Sequence, residues 1–237
     1  MLLSSMDDKQ KSIIQENLVS LYLRLNGFFV NKFIVHSAKH GNNKSEIDCL
    51  AVRFPYNSEP EREIQTDPSI KCSNAHIDFL ICEVKSDRQK IAFNKSLVND
   101  GVLETILRWC GPLPEEKLQK ASEDFKQAIE GWKNAKNCHE EPPTYVHENY
   151  RFRAIFFKPE TKRSRENQPW FINEESIFSF ISKCVDPAEH RDQCTTVYDL
   201  QAWAEFEKII RYFKDADTRT DRNMQSLYKH LENTETN

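Results

Sequence analysis

His76-Ile77-Asp78-Phe79-Leu80-Ile81-Cys82-Glu83-Val84-Lys85-Ser86 is a short, almost wholly apolar segment that ends in two charged residues. Alternation along an extended chain puts Phe79, Ile81, Glu83 and Lys85 on one side, with Leu80, Cys82 and Val84 on the other. Apolar residues on both sides are the mark of a central strand covered on both faces, and Glu83 and Lys85 then emerge near its carboxyl end. A second strand of similar shape lies upstream, Ser45-Glu46-Ile47-Asp48-Cys49-Leu50-Ala51-Val52. An acid on one strand beside Glu-x-Lys on a neighbour would place two carboxylates around a hard cation with an ammonium close by. Metal-assisted phosphodiester cleavage uses that combination. The competing reading is a salt-bridged pair at a strand end with no chemical role, because Glu-x-Lys is a common triplet.

A helix is expected before both strands, from about Asp7 to Asn26. Acidic residues suit its positive end and Gly27 its stop. Ile14, Leu18, Leu21 and Leu25 form one apolar stripe, and Glu16 shares a narrower face with Val19, Ser20 and Leu23. Such a helix is wedged against the sheet with Glu16 near its edge.

Together these residues resemble the PD-(D/E)xK nuclease superfamily, whose core runs helix–strand–strand–strand–helix–strand. The matching residues are Glu16 in Gln15-Glu16-Asn17-Leu18, Asp48 in Glu46-Ile47-Asp48, and Glu83 with Lys85. The resemblance covers the first half of the chain best and continues loosely to about Cys184. It implies an α/β fold, a restriction-endonuclease-like mixed sheet flanked by helices, over 1–185, with a C-terminal helical addition over 186–237. It implies Asp48 and Glu83 as ligands of Mg2+ or Mn2+, Lys85 acting on the attacking water, and Glu16 completing the site. DNA is the expected substrate, with RNA left open. The spacing from Asp48 to Glu83 is long for the family, because a polar insert separates the two strands.

Thirty per cent of the residues are charged and only five are glycine, so a glycine-rich phosphate-binding fold is not expected. The formal net charge of −4 supplies no global attraction to nucleic acid. Local basic sites are instead expected at Lys39 and Lys44 in the turn around Gly41, and at Lys162, Arg163 and Arg165 after a strand near Ala154–Phe157. Solvation alone also explains those lysines and arginines. The first six residues are too short and lack the basic start expected of a signal peptide, and no apolar run is long enough to cross a bilayer. Cys49, Cys82, Cys110 and Cys184 lie in apolar segments and read as reduced, buried thiols of a cytoplasmic protein. Paired Cys-x-x-Cys spacing for zinc is missing.

Further expectations concern the rest of the chain. Tyr56–Ala75 reads as a flexible insertion, since Pro60, Pro68 and mixed charges interrupt any apolar period. Ser96 to Trp109 and Glu115 to Lys136 read as helices, and Asn137 to Asn149 as a loop. Asn173 is expected to cap another helix. A last helix over Leu200–Phe213, rich in aromatics, would close the core or meet a partner chain or a second copy. The alternative function is a catalytically silent nuclease-like domain that binds nucleic acid or a protein partner.

Overall fold

A computed structural model of the protein describes residues 6–36, 43–58, 64–86, 91–98, 101–134, 141–162, 170–186 and 200–235. The chain opens with helix α1 (Asp8–Leu25), started by a capping box in which Asp7 accepts from the Gln10 N–H and the Gln10 side chain accepts in return. It stops at Gly27, whose φ of +82° suits glycine, and a Cβ there would come within 2.2 Å of Asn57 Oδ1. Strands β1 (Phe29–His36), β2 (Asn43–Arg53) and β3 (Ile77–Val84) follow. Next come helices α2 (Lys95–Val98), α3 (Val102–Cys110) and α4 (Glu115–Asn134), then strands β4 (Thr144–His147), β5 (Tyr150–Lys158) and β6 (Ile172–Asn173). Helices α5 (Glu174–Val185), α6 (Glu207–Lys214) and α7 (Met224–Glu235) complete the described chain.

The six strands form one mixed open sheet in the order β1-β2-β3-β5-β4, with β6 also paired to β5. β1, β2 and β3 pair antiparallel, whereas β3 and β5 run parallel. Parallel neighbours need a crossover connection, which α2, α3 and α4 supply. Alternation divides the core into two layers. Cys49, Ala51, Leu80, Cys82, Ile155 and Phe157 pack with α1, α5, α6 and α7. Leu50, Phe79, Ile81, Phe152 and Ala154 pack beneath α2, α3 and α4. β3 is therefore covered on both faces, and burial of Asp78 through Glu83 is continuous.

Four sequence expectations are corrected. Residues 64–75 of the insertion are docked, not loose: Ile70 is fully buried, Tyr22 Oη donates to Asp67 at 2.8 Å, and the Asp67 N–H donates to Asn26 Oδ1 at 2.8 Å. Polar anchors on α1 do the fastening, which hydrophobic periodicity does not register. The stretch after Ser96 is divided between α2 and α3, and Gly101, at φ +68°, precedes α3. The segment read as a loop over 137–149 contains β4, which forms a hairpin with β5. The helix expected over 200–213 is a 3-10 segment from Leu200 to Phe206, interrupted at Ala204 by non-helical dihedrals, followed by α6.

Ile70 gives a direct test of the docked insertion. Ile70→Ala is expected to cost about 2–5 kcal/mol, the range for emptying a sealed aliphatic site. The shift of the urea unfolding midpoint measures it, and a loss below about 1 kcal/mol would contradict the packing described.

Candidate active site

The polar insert does not keep the two acidic strands apart. Cys49 of β2 lies opposite Cys82 of β3, and Leu50 lies opposite Ile81. Leu50 and Ile81 belong to the layer under α2, α3 and α4, and alternation carries Glu83 to that face; in β2 a register shift between Leu50 and Ile47 interrupts the alternation, so Asp48 is placed by its own hydrogen bond.

Ladder pairing between β2 and β3 runs only as far as Cys49 and Cys82. At the next step the Asp48 carboxylate takes the place of a backbone carbonyl, accepting the Val84 N–H at 2.7 Å. On the other side of β3 the parallel pairing continues, because the Lys85 N–H donates to Phe157 O at 2.8 Å. This difference positions the site. β5 still holds the backbone of Lys85 while β2 has turned a side chain toward the strand end.

Glu83 is buried and ion-paired to Lys85, and its Oε1 accepts the Asn94 N–H at 3.3 Å. Glu16, on α1, accepts from Ser12 Oγ at 3.1 Å and pairs with Lys32 of β1 at 2.7 Å. Burial pushes the Asp48 carboxyl up from 3.8 to about 6. The Val84 N–H opposes that rise, the negative charges of Glu83 and Glu16 add to it, and Lys85 partly offsets it. Asp48 thus senses three of the residues singled out in the sequence. Glu16, Asp48, Glu83 and Lys85 occupy one electrostatic neighbourhood.

No family model, curated protein or solved structure matches the chain.

The basic residues are a different matter. Lys39, Arg163 and Arg165 lie outside the described residues, and Lys44 is placed in β2 by its backbone alone. Lys162 is exposed, and its charge is felt by Glu174 at the start of α5.

A divalent cation can be weighed against this donor set. Two carboxylates at the end of adjacent strands, one with its pKa raised to about 6 by burial and like charge, are hard oxygen donors that a cation would relieve of repulsion. The chemistry fits Mg2+ or Mn2+. Among the described residues, however, no group of three or more His, Cys, Asp or Glu side chains is close enough to hold an ion by itself. Asp48 and Glu83 would need water and substrate oxygens to fill the remaining positions, as magnesium sites commonly use.

A buried ion network at the other end of β3 escaped the sequence reading. Asp78 is wholly buried and accepts from Arg151 Nε at 3.1 Å and Arg153 Nε at 2.9 Å, while Arg153 also donates to Ile70 O at 2.7 Å. The available signal was the spacing Arg151-x-Arg153, which puts two guanidiniums on one face of an otherwise apolar strand. The network is structural: it fastens the insertion to the sheet.

The elevated Asp48 carboxyl has a consequence for stability in chelator. Between pH 3.8 and about 6 the folded protein holds a proton that the unfolded chain has released, so stability falls as pH rises through that window. Asp48→Asn is expected to remove this slope and to stabilise the metal-free protein at pH 7.5 by on the order of 2 kcal/mol. Urea titrations of both proteins across pH 4–8 measure the difference. Parallel stability curves would contradict the account.

Proposed function

We propose that the chain is a divalent-metal-dependent phosphodiesterase of the PD-(D/E)xK nuclease superfamily, with a restriction-endonuclease-like fold, acting on DNA. The observation that carries the reading is the Asp48 carboxylate on the Val84 N–H, sharing one strand end with the Glu83–Lys85 pair. The mixed sheet, its leading helix and the order of the first three strands support it.

In this reading Asp48 and Glu83 hold the cation through oxygen. Bound Mg2+ supplies a Lewis acid for the phosphate and lowers the pKa of the attacking water. Lys85 orients that water and offsets negative charge as it builds on phosphorus. Burial around Glu83 and Asp48 lowers the local dielectric and strengthens each of these contacts. Glu16 sits beside the group with its charge engaged by Lys32, and it would act through a water.

A second reading, a silent nuclease-like module that binds nucleic acid or a protein, is favoured by one observation. Both Glu83 oxygens already have partners in Lys85 and the Asn94 N–H, so the charges are satisfied without a cation. Calorimetric titration with Mg2+ and Mn2+ separates the two. The nuclease reading expects binding that Asp48→Asn weakens by at least tenfold, with affinity falling below pH 6 as Asp48 takes up a proton. No binding by the wild type would favour the silent module.

A further inference from the structure

At the opposite end of β3 from Glu83, a cleft of about 520 Å³ opens between the sheet and the C-terminal turn of α3. Sites for small molecules commonly run to about 300–1,000 Å³. Asn31, Leu50, Val52 and Phe79 contribute from three strands, and Trp109 to Pro112 cover them from the helix end.

Two features of the lining are unusual for this chain. First, thirteen residues line the cleft and none carries a charge, although 30% of the whole sequence does. An ionised ligand would lose its hydration there without a counter-charge. Burial pushes the Cys110 thiol up to about 11, which keeps it neutral. Second, the lining is rich in aromatic rings. Phe29 and Phe54 stand edge to face with centroids 6.1 Å apart, and Phe79 and Tyr150 are 5.9 Å apart. Trp109 packs against Phe33 at 4.5 Å.

Three of the lining rings are also open to solvent to a degree that core packing does not explain. Phe29 is 68% exposed, Trp109 55% and Phe54 51%. Rings held in place and left uncovered present faces and edges for another π-system. Asn31 adds what a purely apolar slot lacks. Its amide offers donor and acceptor side by side, the pattern complementary to the polar edge of a heteroaromatic base. It sits on β1, the edge strand, and is exposed at the open side of the cleft. A hydrocarbon chain would gain nothing from that amide.

We propose that this cleft binds an uncharged nucleobase, its ring against the exposed aromatics and its polar edge on Asn31. A free nucleoside supplies such a base without charge, and a single strand of nucleic acid supplies it with the phosphates held outside the uncharged lining. The proposal stands on the cleft and does not require the cleavage chemistry assigned to Asp48, Glu83 and Lys85.

The test is equilibrium binding by the full chain in chelator, where metal-dependent cleavage is silent. Adenosine, guanosine, cytidine and thymidine are titrated separately, then a short single-stranded oligonucleotide, with indole as the apolar control. Trp109→Ala and Asn31→Leu are the variants, and both replace exposed side chains, so thermal melting is expected to show intact folds. The expected result is saturable binding of a nucleoside, the oligonucleotide or both, weakened about tenfold or more by Trp109→Ala. Asn31→Leu should weaken it also and flatten the preference among bases. Binding of nucleosides assigns the site to free ligands, and binding of the oligonucleotide alone assigns it to a strand. Absence of binding by all of them would overturn the proposal, as would binding that neither variant changes. Indole binding as tightly as the nucleosides, with no effect of Asn31→Leu, would show an apolar slot and overturn it too. A dimer in light scattering that Trp109→Ala disperses would give the cleft to a second copy instead.

Discussion

Lys85→Ala is expected to lower the single-turnover rate of metal-dependent DNA cleavage by about 10²–10³-fold or more, the scale for removing one group aimed at developing charge. The fold should survive, because the backbone N–H of residue 85 still donates to Phe157 O and the side chain lies at the strand end. Metal binding should be retained or tightened. The Lys85 ammonium neutralises Glu83, and its removal leaves that carboxylate facing Asp48 without compensation. This split between binding and rate is the useful feature of the experiment. A merely structural ion pair predicts that Lys85→Ala changes neither, and loss of metal binding together with rate would assign Lys85 to holding the site in shape. Calorimetry with Mn2+ alongside quenched-flow cleavage reads both quantities on one protein preparation.

Asp78→Ala should produce the largest loss of stability among these variants, about 3–5 kcal/mol, the range for leaving a buried charge without its partner. Arg153 is almost wholly buried, and burial presses its guanidinium toward the neutral form while Asp78 opposes that. Without the carboxylate Arg151 and Arg153 retain the carbonyls of Lys71 and Ile70 but lose the anion between them. The insertion should loosen with them. Total stabilities of about 5–15 kcal/mol leave room for the alanine variant to be largely unfolded, so Asp78→Asn is the companion. It keeps the shape and some hydrogen bonds and should lose less. Urea unfolding at pH 7 measures both. A loss below about 1 kcal/mol for the alanine variant would show that the network does not carry the weight assigned to it.

Much of the fold was legible because the elements near the site advertise themselves by period. The alternation from Ile77 to Val84 marked a strand buried on both faces, and Asp7 with Gly27 marked both ends of α1. Asn173 was recognisable as a cap, and its Oδ1 does accept the Ser176 N–H at 2.9 Å. The juxtaposition of Asp48 with Glu83 was not legible from spacing. It depends on β2 and β3 pairing across a long insert, and pairing register is a tertiary property. The docking of that insert was hidden for another reason. Ile70, hydrogen bonds with Tyr22 and Asn26, and the arginines of β5 hold it, and none of these has a sequence period. β4 is short and only half covered, so its four residues carried too weak an alternation to read. Glu16 was placed beside the sheet by its helix face, but its pairing with Lys32 needed β1 to fold back against the middle of α1.

The central claim is that Asp48 and Glu83 hold a divalent cation which, with Lys85, breaks a phosphodiester bond. Incubation of the purified wild-type chain with end-labelled single- and double-stranded DNA and RNA, in Mg2+, in Mn2+ and in chelator, tests it most directly. The account predicts strand breaks in DNA with either metal, none in chelator, and none from Asp48→Asn under any of the three conditions. Cleavage that persists in chelator, or a wild-type chain that neither cleaves nor binds metal, would contradict it.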